Sequence, residues 1–257
     1  MPTAPVNGVR LHYEERGQGA PLVFVHGGMG SLEDWKHQAA RFAPTHRVVR
    51  LDLRGHGRST PFGSPENPWA RLEVETFSDD VLAFLDHVAP GDGGVHLVGA
   101  SMGSLVAQRV ATEAPHRVLS LTSVASPPIA SEALRQFNRK GREALPPEKV
   151  QAHHARVHGD PYWRALRDHL LAYLGELPDD VFPQALLRGF KGPAWVVEAA
   201  DDPAYSPVGT AFWYAWLPQA RLDRPAGGHW FYKDGAEGTA WFNEGLARFL
   251  QEAAGHA

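Results

Sequence analysis

Short apolar runs, each closed by a glycine or polar turn and followed by a helix-period stretch, recur along this chain and restrict it to one fold class. The runs are Leu22-Val23-Phe24-Val25, Val48-Val49-Arg50-Leu51, Val95-His96-Leu97-Val98, Val118 to Val124, and Ala194-Trp195-Val196-Val197. Several are continuous rather than alternating, which is the pattern of strands covered on both faces of a parallel sheet. Between them, Ser31-Leu32-Glu33-Asp34 reads as a capping box, with Trp35, Gln38, Ala39 and Phe42 following at helical spacing. Thr76 and Asp79 suggest a similar start before Val81, Phe84, Leu85 and Val88. Leu105, Val106 and Val110 continue the pattern, and Phe242, Leu246, Phe249 and Leu250 make a terminal amphipathic helix. Strands alternating with helices predict an α/β fold, a mostly parallel central sheet flanked by helices. Upstream, Val9 to Glu14 alternates behind the hairpin turn Asn7-Gly8, which predicts an antiparallel N-terminal edge.

Residues 126–192 break this rhythm. They hold Pro127-Pro128, Pro146-Pro147, Pro161, Pro178 and Pro183, show no strand-like run, and carry ten Lys/Arg against eight Asp/Glu. The stretch reads as a helical cap inserted into a core made of residues 1–125 and 193–257, covering the sheet's C-terminal edge. Ligands bind at that edge in open α/β sheets. A chain of 257 residues with 43% apolar content can bury such a core without staples. The absence of cysteine removes disulfide scaffolds and thiolate-held zinc or iron–sulfur sites. A net charge of −4 gives no footprint for nucleic acid or an anionic membrane surface. No run approaches a membrane span and no basic-then-apolar leader opens the chain, so a soluble, cytoplasmic protein is expected. Oligomeric state is not legible.

Val95 to Gly103 is the most informative stretch. Gly99-Ala100-Ser101-Met102-Gly103 fits G-x-S-x-G, with an apolar strand running in and an apolar-periodic helix running out. A sharp strand-to-helix turn crowds its neighbours, so small residues must flank the central one. The turn lifts the serine oxygen above the sheet and aims the first helix amides at the same point. The plainer reading makes Ser101 only the N-cap of that helix.

These residues resemble the α/β-hydrolase family over nearly the whole chain, and three further segments carry the likeness. His26-Gly27-Gly28-Met29-Gly30-Ser31 resembles its oxyanion loop, Asp52-Leu53-Arg54-Gly55-His56-Gly57-Arg58-Ser59 its structural turn, and Gly227-Gly228-His229 its catalytic histidine loop. The resemblance implies Ser101 as nucleophile, His229 as base, and the Gly28 and Met102 amides as oxyanion donors. Asp52 and His56 are assigned no chemistry.

A serine hydroxyl needs a base in reach, itself oriented by a carboxylate, and this fold orders them Ser, acid, His. Of 14 histidines, only His229 lies in a glycine-flanked loop after the last predicted strand, Arg221 to Arg224. The acid falls after the Ala194–Ala200 run: Asp202 in the preferred register, Asp201 as the alternative and Glu198 third. His154 and His158 have the i, i+4 spacing of metal helices, but no nearby carboxylate completes a motif, so no metal site is expected.

Serine at 101 argues against the carboxylate nucleophile of haloalkane dehalogenases and epoxide hydrolases, and Met102 is unlike the proline iminopeptidase pattern. The resemblance therefore implies a serine esterase or lactonase acting on a small ester, lactone or related acyl substrate, with no cofactor. Two readings stay open beside it: a C–C bond hydrolase of dienoate or diketone type, and a non-catalytic ligand receptor. Phe137, Tyr162 and Trp163 are the candidate pocket residues, although Trp163, Leu166 and Leu170 share a spacing that plain helix packing also gives.

Overall fold

The computed structural model describes residues 2–91, 93–125, 131–178, 187–204, 207–233 and 235–255. Strands β1 (Thr3–Val6) and β2 (Val9–Arg16) form a hairpin across Asn7-Gly8, both at positive φ (42° and 82°), as a two-residue turn between twisted strands requires. Then follow β3 (Pro21–Val25), β4 (Arg47–Leu51), β5 (Val95–Ala100), β6 (Val118–Val124), β7 (Ala194–Val197) and β8 (Arg221–Asp223). Among the described residues the sheet has the order β1-β2-β4-β3-β5-β6-β7-β8, with β1 and β2 antiparallel and the remainder parallel.

The continuous apolar runs have the expected cause. Along β3, Leu22 and Phe24 pack on one face while Val23 and Val25 pack on the other, and all four are fully buried. On the first face lie α1 (Lys36–Phe42) and the C-terminal helix Ala236–Ala254, whose Phe242 stacks on Trp195 at 5.5 Å. On the second lie α2 (Val74–Val88) and α3 (Met102–Glu113), through residues such as Phe77, Phe84, Val106 and Val110. Each buried aromatic or aliphatic side chain contributes roughly 1.5–3 kcal/mol.

Two helix starts differ from the sequence pattern. Ser31 caps a single 3-10 turn, Leu32–Trp35, by accepting from the Glu33 N–H, while the Asp34 carboxylate turns to Lys233 at 2.9 Å; no capping box forms. Helix α2 begins at Val74, so Thr76 lies inside it, its hydroxyl donating to Glu73.

After β6 come α4 (Glu132–Glu143), α5 (Glu148–His158) and α6 (Tyr162–Gly175), with α4 packed along α6 and no strand among the described residues before β7. Pro127-Pro128 and Pro183 lie outside the described residues. Helix α7 (Pro207–Trp216) separates β7 from β8, which makes the terminal helix α8. No helix among the described residues is long and apolar enough to cross a membrane.

One buried ion pair fastens the segment after β4. Arg54 and Asp80 are both 0% exposed and bidentate, Nε and Nη2 each at 2.7 Å from a carboxylate oxygen. Asn67 accepts from the third guanidinium nitrogen at 3.1 Å, and Asn7 of the hairpin turn donates to Asp80 at 3.0 Å. Removing one partner strands a buried charge. Asp80→Ala is expected to lower unfolding stability by about 3–5 kcal/mol, read from urea titration. A loss below about 1 kcal/mol, the worth of an exposed pair, would contradict this account.

Candidate active site

Ser101 follows β5 directly, at φ 53° and ψ −123°. A non-glycine residue there stores about 1–3 kcal/mol of strain and persists only where its surroundings allow no alternative. The surroundings are steric. A Cβ on Gly99 would lie 2.1 Å from the Gly103 carbonyl oxygen, and one on Gly103 would lie 2.3 Å from the His26 carbonyl oxygen. Strand, turn and helix thus meet at backbone contact, which only glycine permits at both positions. The Ser101 N–H donates to Val124 O at 2.8 Å, tying the turn to the end of β6.

His229 Nε2 lies 3.0 Å from Ser101 Oγ, and His229 Nδ1 lies 2.8 Å from Asp202 Oδ2. A carboxylate only accepts, so Nδ1 carries the proton and the Nε2 lone pair accepts from the serine hydroxyl. The second Asp202 oxygen accepts from the Ala204 N–H at 2.8 Å, and Asp202 and His229 are both buried.

Pairing of β7 with β8 carries these two loops together. Beyond the strands, Glu198 N donates to Asp223 O, Ala200 N to Pro225 O and Asp201 N to Gly227 O, at 3.0, 2.8 and 3.0 Å. The exposed Asp201 returns the contact, accepting from the Gly227 N–H at 3.2 Å. Of the adjacent aspartates, Asp201 therefore ties the loops and Asp202 faces the imidazole. Glu198 accepts from the Trp213 indole at 3.2 Å.

The loop after β3 supplies the opposite wall. His26 Nε2 accepts from the Leu53 N–H at 3.0 Å, so its Nδ1 carries hydrogen and donates to Gly27 O at 2.7 Å. Gly30 N donates to the same oxygen at 3.0 Å. In a trans peptide the carbonyl and the following N–H point in opposite directions, so this hold fixes where the Gly28 N–H points. Gly27 packs against the serine; a Cβ there would sit 2.9 Å from Ser101 Cβ. Met102 opens α3, where helix N–H groups have no intrahelical partner. Among the described residues, neither the Gly28 nor the Met102 N–H has a hydrogen-bond partner. Asp52 braces the loops from below, accepting from Leu32 N at 2.8 Å and Arg58 N at 3.0 Å.

A cavity of about 570 Å³ opens onto Ser101 and His229, walled by residues of α4 and α6 and by Trp230. Phe137 lines it, its ring 5.0 Å from that of His229. Tyr162 and Trp163 do not line it, which corrects the expectation from sequence. Trp163 is buried within the inserted segment, its indole donating to Asp160 at 3.2 Å and its ring 5.9 Å from that of His154 on α5. Tyr162 bridges to the core, donating to Gly55 O at 2.8 Å and accepting from Phe62 N at 2.9 Å. Sequence reasoning missed Trp230, Lys140, Arg167 and Lys233, which also line the cavity. Periodicity held part of the signal, since Lys140 follows Phe137, and Leu170 follows Arg167, by three residues.

His158 accepts from the Gly57 N–H at 3.0 Å, and no group of metal-ligating side chains occurs among the described residues. Burial pulls the His154 and His158 imidazoles down to about 4 and His56 well below its ordinary value.

The family model whose description is alpha/beta hydrolase fold matches residues 20–162. The chain is similar to the dihydrolipoyllysine-residue acetyltransferase component of the acetoin cleaving system of Pseudomonas putida, 37% identical over 58% of this chain and 40% of that one. It is also similar to the pimeloyl-[acyl-carrier protein] methyl ester esterase of Sodalis glossinidius, 32% identical over 52% of each. The chain thus spans about half or less of the curated relatives it matches. Among solved structures it resembles the enol-lactonase of Burkholderia xenovorans LB400, with a TM-score of 0.74 and 21% identity over 97% of this chain and 100% of that one. That likeness shows the fold alone.

The buried imidazoles predict a pH dependence whose sign is fixed. A histidine held neutral in the folded state takes up a proton on unfolding, so its contribution is intact above the ordinary imidazole value and lost as pH falls toward the folded one. For His158 the loss amounts to about 2 kcal/mol between neutrality and pH 5, counting 1.36 kcal/mol per unit. The urea midpoint is expected to fall over that window and the fall to shrink in His158→Gln; an identical fall would contradict it.

Proposed function

The chain belongs to the alpha/beta hydrolase fold family, and from that premise we propose that it is a serine hydrolase cleaving a small carboxylic ester or lactone through an acyl-serine intermediate. The observation that carries this reading is the continuous hydrogen-bonded line from Ser101 Oγ through His229 to Asp202, opening onto a cavity. Ser101 attacks the acyl carbon as its proton passes to His229 Nε2. Asp202 keeps the imidazole in the required tautomer and stabilises the imidazolium that forms. The negative charge that develops on the carbonyl oxygen is taken up by the Gly28 and Met102 amides, an interaction worth roughly 10²–10³ in rate per donor. His229 then protonates the leaving alkoxide, the alcohol departs, and water attacks the acyl-serine with His229 again as base.

Residues 126–192 would act as a cap that selects the groups around the acyl carbon, with Phe137 and Leu170 as apolar contacts. A methyl ester esterase among the relatives supports the choice of substrate class. One observation favours the C–C bond hydrolase alternative. Of the three cations lining the cavity, Lys233 is paired with Asp34 and Arg167 with Asp168, each at 2.9 Å, which leaves Lys140 without a paired carboxylate among the described residues. A dienoate's carboxylate would find a partner there. Turnover of p-nitrophenyl acetate without turnover of a vinylogous diketone selects the esterase; the reverse selects the alternative.

A fluorophosphonate is expected to label the wild type on Ser101 and to leave Ser101→Ala unlabelled. His229→Ala is expected to lower kcat on p-nitrophenyl acetate by roughly 10²–10⁴-fold. Equal labelling of both proteins, or a kcat within tenfold of wild type, would remove these roles.

A further inference from the structure

We propose that His158, the last residue of α5, is a positioning residue for the oxyanion loop, holding the Met29 carbonyl so that the Gly28 amide keeps its direction against Ser101. The inference rests on the serine-hydrolase reading above and adds to it a role for the inserted segment in the chemical step.

The tautomer follows from geometry. Gly57 N–H donates to His158 Nδ1 at 3.0 Å, so Nδ1 is unprotonated, Nε2 bears the hydrogen, and it donates to Met29 O at 3.2 Å. One ring thereby joins the structural turn after β4 to the loop after β3. Burial keeps the ring neutral, its ordinary value pulled down to about 4, so this arrangement holds at neutral pH.

Met29 needs such a hold. It sits at φ 57°, where a side chain with a Cβ is strained, and it directly follows Gly28. The Gly28 residue is thus bracketed by two imidazoles. His26, from the core, holds the carbonyl before it at 2.7 Å, and His158, from the inserted segment, holds the carbonyl after it. The rings of His26, His56 and His158 form a packed column, with centroids 5.0 and 5.8 Å apart. Two residues earlier on α5, Arg156 grips Glu33 with two bonds of 2.9 and 2.6 Å, fixing the helix end beside the same loop. Without His158, nothing from α5 bonds to the loop backbone itself among the described residues. A donor displaced by about 1 Å can cost of order a hundredfold in rate.

Two isosteres separate the bonds. His158→Gln places its amide nitrogen near Nε2 and keeps a donor for Met29 O. His158→Asn places its oxygen near Nδ1, keeps the acceptor for Gly57 and loses the Met29 bond. The readout is inactivation by a fluorophosphonate. In that step the Ser101 Oγ–P bond forms, the P–F bond breaks, fluoride leaves, the serine proton passes to His229, and charge builds on the phosphoryl oxygen.

His158→Asn is expected to lower kinact by about tenfold to a hundredfold with KI within twofold, and His158→Gln to recover kinact to within about threefold. Tyr162→Phe, which breaks a different bridge between the inserted segment and the core, is expected to lower Tm while kinact stays within about threefold. Equal kinact in the Asn and Gln variants, a change confined to KI, or a fall in kinact for Tyr162→Phe that matches its fall in Tm would each overturn the proposal. Absence of wild-type labelling on Ser101 would instead bring down the hydrolase reading on which it stands.

Discussion

Backbone contact between β5, α3 and the β3 loop is the constraint on which the rest of the site depends. Two glycines, Gly99 and Gly103, allow main chain to touch main chain, and the serine between them is forced to φ 53° and ψ −123°. The strain of about 1–3 kcal/mol is offset by the packing around it: Val98, Ala100, Leu105 and Val106 are almost wholly buried on either side. The strained serine presents its hydroxyl at the sheet's C-terminal edge, within 3.0 Å of an imidazole 128 positions further along the chain.

Everything else in the site is arranged to meet that hydroxyl. The parallel register of β5, β6, β7 and β8 brings their C-terminal ends to one edge, so three loops distant in sequence become neighbours. Pairing of β7 with β8 runs on past the strands, and Asp201 fastens the two loops while the adjacent Asp202 turns to His229. On the other side, His26 and His158 clamp the carbonyls flanking Gly28. Hydrogen bonds to backbone thus hold the loop that carries the Gly28 amide, and the turn into α3 places that of Met102. On the proposed reading, donors held in place this way would need no rearrangement when charge develops on a substrate carbonyl.

The fold was legible because burial on both sheet faces writes itself as unbroken apolar runs, and each predicted run became a strand. The position of Ser101 was legible because a steric demand for small neighbours, Gly99 and Gly103, leaves a pattern in the sequence, and that of His229 because it follows the last strand in chain order. Asp202 was less so: Asp201 and Asp202 are chemically identical, and only the direction of the loop, set by pairing with Gly227, separates them. The cavity walls were poorly legible. Trp163 and Leu170 share one helical face, yet Trp163 packs inside the insertion and Leu170 reaches over Gly28, where an added Cβ would meet it at 2.5 Å. How far along a helix a neighbouring element extends is a property of packing, and no periodicity records it. The bond from His158 to Met29 O spans 129 positions and involves a backbone acceptor, which carries no sequence signature at all.

The central claim is that a strained serine, an imidazole and the amides of Gly28 and Met102 converge on one reacting centre. A crystal structure of the protein after treatment with a fluorophosphonate tests it most directly. The account predicts phosphorus bonded to Ser101 Oγ, with the phosphoryl oxygen about 2.7–3.1 Å from both the Gly28 and the Met102 nitrogens. An adduct whose phosphoryl oxygen faces solvent, or one formed on any residue other than Ser101, would contradict it.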